Sequence, residues 1–124
     1  MFISCSEKKG NLVVDNPKVY KDGTFRCYND TYTTLLVQWV IERNGQHFPE
    51  RGYIFLSPKQ QFYLWNEVDK NLGNIFRGGD ILKIDIEPPH EPYHRGMWQD
   101  YILHTVDGDK DIILHWAWHE IRER

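Results

Sequence analysis

From Thr31 to Arg43 the chain runs through β-branched and aromatic residues, a composition that predicts a strand. Leu35, Val37 and Trp39 fall on one face, with Leu36, Gln38 and Val40 on the other. Asn44-Gly45 then gives a strong two-residue hairpin signal, and Arg51–Leu56 reads as the return strand. Ile81–Glu87 alternates cleanly, placing Leu82, Ile84 and Ile86 inward and Lys83, Asp85 and Glu87 outward. Met97–Val106 and Asp111–Ile121 read as two more strands joined by a hairpin at Asp107-Gly108-Asp109. In the last strand, Ile112, Leu114, Trp116 and Trp118 share one face, and Ile113, His115, Ala117 and His119 the other. Apolar residues on both faces suit a central strand or one that meets a partner, so a homodimer is permitted. Nearer the start, Asn11–Asn16 is a short apolar run, and Lys18–Tyr28 a weaker strand pair split by Asp22-Gly23.

Between these groups the spacing predicts a helix. Ser57 suits an N-cap, Pro58 the first helical position, and Gln60 completes a capping box. Leu64, Trp65, Val68, Leu72 and Ile75 recur at helical spacing, with Gly73 available for a left-handed C-terminal residue. Arg77-Gly78-Gly79-Asp80 reads as a turn. The expected fold class is therefore α+β: a curved antiparallel sheet of about seven strands, in the order four strands, helix, three strands. The one main helix would pack on the sheet through Leu64, Trp65 and Val68.

The 124 residues fit a single domain spanning 1–124. Aromatics at 15% argue against a disordered chain, and no apolar run reaches the roughly 20 residues of a membrane helix. The first ten residues lack the basic start and apolar stretch of a secretory signal. Cys5 and Cys27 make no disulfide framework, so reduced thiols in a cytoplasm are expected. The charge is uneven. Residues 1–62 carry 8 basic and 6 acidic side chains, residues 63–124 carry 7 and 12, and the whole chain is −3. Such an acidic half repels nucleic acid and attracts a basic surface.

Catalytic signals are sparse. His90 and His94 with Glu91 have a metal-ligand spacing that needs a helix, and Pro88, Pro89 and Pro92 forbid one, so no metal is expected. His104 and His115 could meet across the Asp107-Gly108 hairpin and do acid–base work. Asp85 and Glu87 sit on one strand face at about 6.6 Å by the strand rise, a separation suited to paired carboxylates. No nucleophile elbow, Walker loop or dinucleotide fingerprint occurs, and neither an enzyme nor a cofactor is expected.

Two resemblances complete the reading. The Asn44-Gly45 hairpin followed by Pro49, Gly52, Leu56 and Ser57, with Gln61 and Trp65 beyond, resembles the PC4-type coactivators and the related Whirly-like fold over residues 35–75. That resemblance implies single-stranded nucleic acid held on a curved sheet, with Trp39, Arg43, Arg51, Tyr53 and Lys59 as the matching candidates. The family's basic stretches have no counterpart here. In general character the chain is similar to bacterial toxin-immunity proteins: one acidic, aromatic-rich domain without a catalytic motif. That similarity implies an antitoxin that occludes a basic, nuclease-type toxin. Asp85, Glu87, Glu91, Asp100, Asp107 and Asp109 would then mimic phosphates, and Tyr93 and Trp98 would anchor.

Overall fold

The computed structural model of the chain describes residues 18–87, 101–115 and 118–124. Within them the chain forms β1 (Phe25–Asn29), β2 (Leu35–Arg43), β3 (Gln46–Leu56), β4 (Gln61–Tyr63), β5 (Ile81–Glu87), β6 (Tyr101–Thr105), β7 (Lys110–His115) and β8 (Trp118–Glu123). They make two four-stranded sheets, ordered β4-β1-β7-β8 and β3-β2-β5-β6. Neighbours pair antiparallel, except β1 and β7, which run parallel with Cys27 opposite Ile112.

The core lies between the sheets. One contributes Phe25, Cys27, Ile112 and Leu114; the other contributes Leu35, Val37, Trp39, Ile41, Leu56, Leu82 and Ile84. Period-two alternation thus places Leu82 and Ile84 of β5 inward as expected, and in β2 the face of Leu35, Val37 and Trp39 is the one turned to the core; Asp85, expected outward, is buried. The Asn44-Gly45 hairpin also forms, pairing Arg43 with Gln46, and both turn residues take positive φ, 53° and 75°. The opposite face of β2 is buried as well, through Leu36, Gln38 and Val40.

The α+β expectation is corrected: no main helix exists among the described residues. The 57–75 segment holds β4, a single 3-10 turn at Lys70–Leu72, and irregular backbone. Tertiary partners override the local capping signature. Lys59 takes a positive φ of 61° and donates its N–H to Asn29 O, which breaks the expected first turn. Asn66 then acts as a hub. Its Oδ1 accepts from the backbone N–H groups of Val68 and Asp69, and its Nδ2 donates to Ile75 O. Leu64 is buried as expected, but Ile75 is exposed, so the presumed apolar stripe is not a helix face.

Four further expectations change. The single curved sheet of about seven strands is two sheets of four. Asp22-Gly23 is no hairpin; Gly23 bridges Phe76 instead. The final strand folds back on itself as β7 and β8, closing at His115 opposite Trp118. Asp107-Gly108-Asp109 links β6 of one sheet to β7 of the other rather than joining two neighbours. Among the described residues, no helix is long and apolar enough to cross a membrane. Asn11–Asn16, Pro88–Gly96, Cys5, His90, His94 and Trp116 lie outside the described residues.

The sheet-crossing turn is fastened by its carboxylates. Asp109 Oδ1 accepts from Thr24 N at 2.8 Å and Thr24 Oγ1 at 3.0 Å, and Asp107 Oδ1 accepts from Lys21 N at 3.2 Å. These backbone bonds hold both carboxyls below the usual range. Burial pushes the Asp111 carboxyl up, but hydrogen bonds from Arg26 and Arg124 outweigh it and hold it low too. Carboxyls depressed by folding add stability that is whole above their ordinary pKa near 4 and lost as pH falls through the lowered values. Thermal melts of Asp109→Asn between pH 6 and pH 2 should therefore show a flatter acid limb than wild type. Parallel limbs would count against the assignment.

Candidate functional site

A buried asparagine at the end of β1 organises a candidate site on the described surface. Asn29 Nδ2 donates to Thr33 O at 2.8 Å and Leu56 O at 2.9 Å, while its Oδ1 accepts from Thr31 N at 3.0 Å and Thr31 Oγ1 at 2.6 Å. Asp30 N–H adds a bond to Leu114 O of β7 at 2.9 Å. Asx and hydroxyl turns of this kind fix a loop from within. With Asn29 and Thr31 turned inward and buried, the alternate residues Asp30 and Tyr32 project outward. Tyr32 is 90% exposed.

Asp30, Thr31, Tyr32, Thr33 and His115 line an open depression of about 430 Å³, within the size range of ligand pockets. His115 points out of β7 onto this surface. Its Nε2 lies 2.8 Å from Glu120 Oε1 and its Nδ1 3.4 Å from Asp30 Oδ2. Trp118 stacks on the imidazole at 3.9 Å with 17° between planes, and stays 59% exposed. Lys59 Nζ meets Asp30 Oδ1 at 2.8 Å and lies 4.5 Å over the Tyr32 ring. Arg122 reaches Glu120 at 3.1 Å. The hydrogen bond from Lys59 holds the Asp30 carboxyl below its usual range, and that with His115 does the same for Glu120.

Both ring nitrogens of His115 face carboxylates, which leaves neither aimed at a substrate proton. Among the described residues no group of three or more His, Cys, Asp or Glu side chains could hold a metal. The surface presents two exposed aromatic rings beside two carboxylates, Tyr32 and Asp30 on the loop after β1 and Trp118 and Glu120 on β8.

The residues singled out from sequence are distributed differently. Asp85 is buried, its Oδ2 accepting from Gln38 Nε2 at 3.3 Å, and cannot serve as a surface phosphate mimic as it stands. Glu87 is half-buried at the end of β5. Asp107 and Asp109 are engaged in the turn described above. Glu91, Tyr93, Trp98 and Asp100 lie outside the described residues. His104 and His115 do not meet: His104 faces inward from β6 toward His119, and His115 faces outward from β7. Of the nucleic-acid candidates, Trp39 is in the core and Arg43 is bound to Asp80 and Asp69, while Arg51 and Tyr53 are exposed on another face. Tyr32, Asp30 and Glu120 were missed. The available signal was the Asn29-Asp30-Thr31 run, which has the composition of a self-bonded turn.

No protein-family model matches the chain, and neither does any curated protein or solved structure.

Proposed function

We propose that the chain is a non-enzymatic binding protein of the immunity or antitoxin kind. Its contact surface would be the Asp30–Thr33 loop together with the outward side of β7 and β8. The observation that carries this reading is the pair of exposed rings, Tyr32 and Trp118, beside Asp30 and Glu120, with Trp118 stacked on His115. Exposed aromatic anchors next to charge are what binding hot spots are made of. The partner favoured is a basic protein, a nuclease-type toxin being the most specific form, met in the cytoplasm and blocked by occlusion. Its cations would take the places of Lys59 and Arg122 on Asp30 and Glu120. Both existing pairs are exposed, and exposed pairs exchange at little cost. The reading moves the contact away from Asp107 and Asp109, whose oxygens already serve the fold.

Paired baits test it. Wild type and the double variant Tyr32→Ala/Trp118→Ala, both exposed sites, are used on lysate of the source organism at low and high salt. A basic protein retained by wild type, weakened by salt and lost from the double variant is the expected result. Losing two anchors should weaken binding at least about thirtyfold, at roughly 1 kcal/mol or more each. A protein held equally by both baits would overturn the proposed surface. Retained single-stranded nucleic acid would favour the PC4-like alternative.

A further inference from the structure

We propose that His104 and His119 form a pH-dependent latch between the two sheets, closed while both rings are neutral and opening the β6–β8 side when they take up protons. β6 and β8 are edge strands of opposite sheets. The inward row of β6 is Ile102 and His104, and that of β8 is His119 and Ile121, so the histidines stand where a sandwich ordinarily places apolar residues. Their rings meet edge to face with centroids 6.1 Å apart and planes at 85°. Among the described residues, His104 Nε2 is buried with no hydrogen-bond partner. A protonated imidazole must donate from both nitrogens, so the proton that would sit there has nothing to bond.

The described surroundings of the two rings are apolar or already paired. Opposite His104 on β5 is Leu82, and opposite His119 on β7 is Leu114. Among the described residues, the charged or titratable groups that bear on His104 are His119 itself and the Lys110 ammonium of β7. Lys110 is held by Glu123 Oε2 at 2.7 Å, and that carboxylate is spent on it. The Glu120 carboxylate is on the other face with His115. Burial, the neighbouring ring and Lys110 all lower the affinity of His104 for a proton, and burial lowers that of His119.

The sign follows from linkage. An opened edge returns both rings to an ordinary pKa near 6.5, so below that pH the open form binds protons the closed form refuses. Opening then becomes about tenfold more favourable per pH unit for one proton taken up, and up to about a hundredfold for two. The effect runs until the pH passes through the lowered closed-state values. Any surface that depends on the β7–β8 ladder would be withdrawn with it.

Amide hydrogen exchange of the full chain, corrected for intrinsic rates, tests the latch between pH 7.5 and pH 5. Protection at Ile102 of β6 and at Glu120 and Arg122 of β8, whose N–H groups face the neighbouring strand, should fall at least about tenfold relative to Val37 and Trp39 in β2 as the pH drops below 6.5. In His104→Phe/His119→Leu the ratio should stay flat. An unchanged ratio in wild type, or the same fall in the double variant, would overturn the proposal. Should the double variant not fold, the imidazole resonances of wild type decide. Depressed and mutually dependent titrations are expected, and two independent ordinary ones would sink the latch.

Discussion

Replacing Gly52 by alanine is expected to destabilise the protein by about 3 kcal/mol, at the upper end of overpacking costs. Gly52 lies on β3 directly opposite Trp39 of β2. A Cβ there would sit 2.2 Å from Cζ2, 2.3 Å from Cε2 and 2.7 Å from Nε1 of the indole. The ring has nowhere to go. It packs against Trp65 at 4.6 Å and Phe62 at 5.6 Å between centroids, and its Nε1–H donates to Trp65 O at 2.9 Å. Moving it would sacrifice aromatic contacts and strand a buried donor. Trp39→Ala should itself cost about 4 kcal/mol, in the range for emptying a large aromatic site. The informative measurement is the coupling. Urea unfolding of Gly52→Ala in a Trp39→Leu background should show most of the glycine penalty gone, because the smaller side chain clears the space. An equal penalty in both backgrounds would place the strain elsewhere. If Gly52→Ala alone does not fold, recovery of a cooperative transition by adding Trp39→Leu is the same result in another form.

The Trp39–Gly52 contact also marks how far the sequence could be read. The alternation of β2 and β5 was legible because an inward set such as Leu35, Val37 and Trp39 tolerates only one register. The Asn44-Gly45 hairpin was legible because few residues accept positive φ at both turn positions. The segment after Ser57 misled for a physical reason. Capping residues and a 3.6-residue spacing are local signals, whereas Lys59 and Trp65 are bonded to Asn29 and Trp39 far along the chain, and Asn66 ties its own segment into a non-helical loop through Val68, Asp69 and Ile75. The parallel pairing of β1 with β7 joins Cys27 to Ile112 across 85 positions and leaves no periodic trace. The candidate surface shared this weakness. Trp118 was visible as either a core or a contact residue, but its exposure depends on the chain reversing after His115. Tyr32 looked like another strand residue, because nothing in its own spacing shows that Asn29 bends the loop beneath it.

Arg43 is the second residue whose loss should be severe, at about 3 kcal/mol or more for Arg43→Met. It stands at the end of β2 and joins three stretches of chain. Its Nε donates to Asp80 Oδ1 at 2.9 Å and its Nη2 to Asp80 Oδ2 at 2.8 Å, a two-pronged contact just ahead of β5. The same Nη2 reaches Asp69 Oδ2 at 2.7 Å beside the 3-10 turn, and Arg77 holds the other Asp69 oxygen at 3.0 Å. Asp80 is buried, so removing Arg43 leaves a carboxylate out of water with no counter-charge, the situation that makes broken buried pairs costly. The guanidinium is correspondingly hard to deprotonate, its hydrogen bonds to Asp80 and Asp69 raising its pKa. Arg43→Lys should recover only part of the loss, since an ammonium supplies a point charge and not the fork that meets both Asp80 oxygens. Adding Asp80→Asn to Arg43→Met should restore stability relative to Arg43→Met alone, because the stranded charge is then gone. Chemical denaturation of these variants separates the two contributions. Were the cost due to lost packing of the arginine stem on Phe48, where the guanidinium carbon lies 5.1 Å from the ring centre, Arg43→Met would be mild and Asp80→Asn would not rescue it.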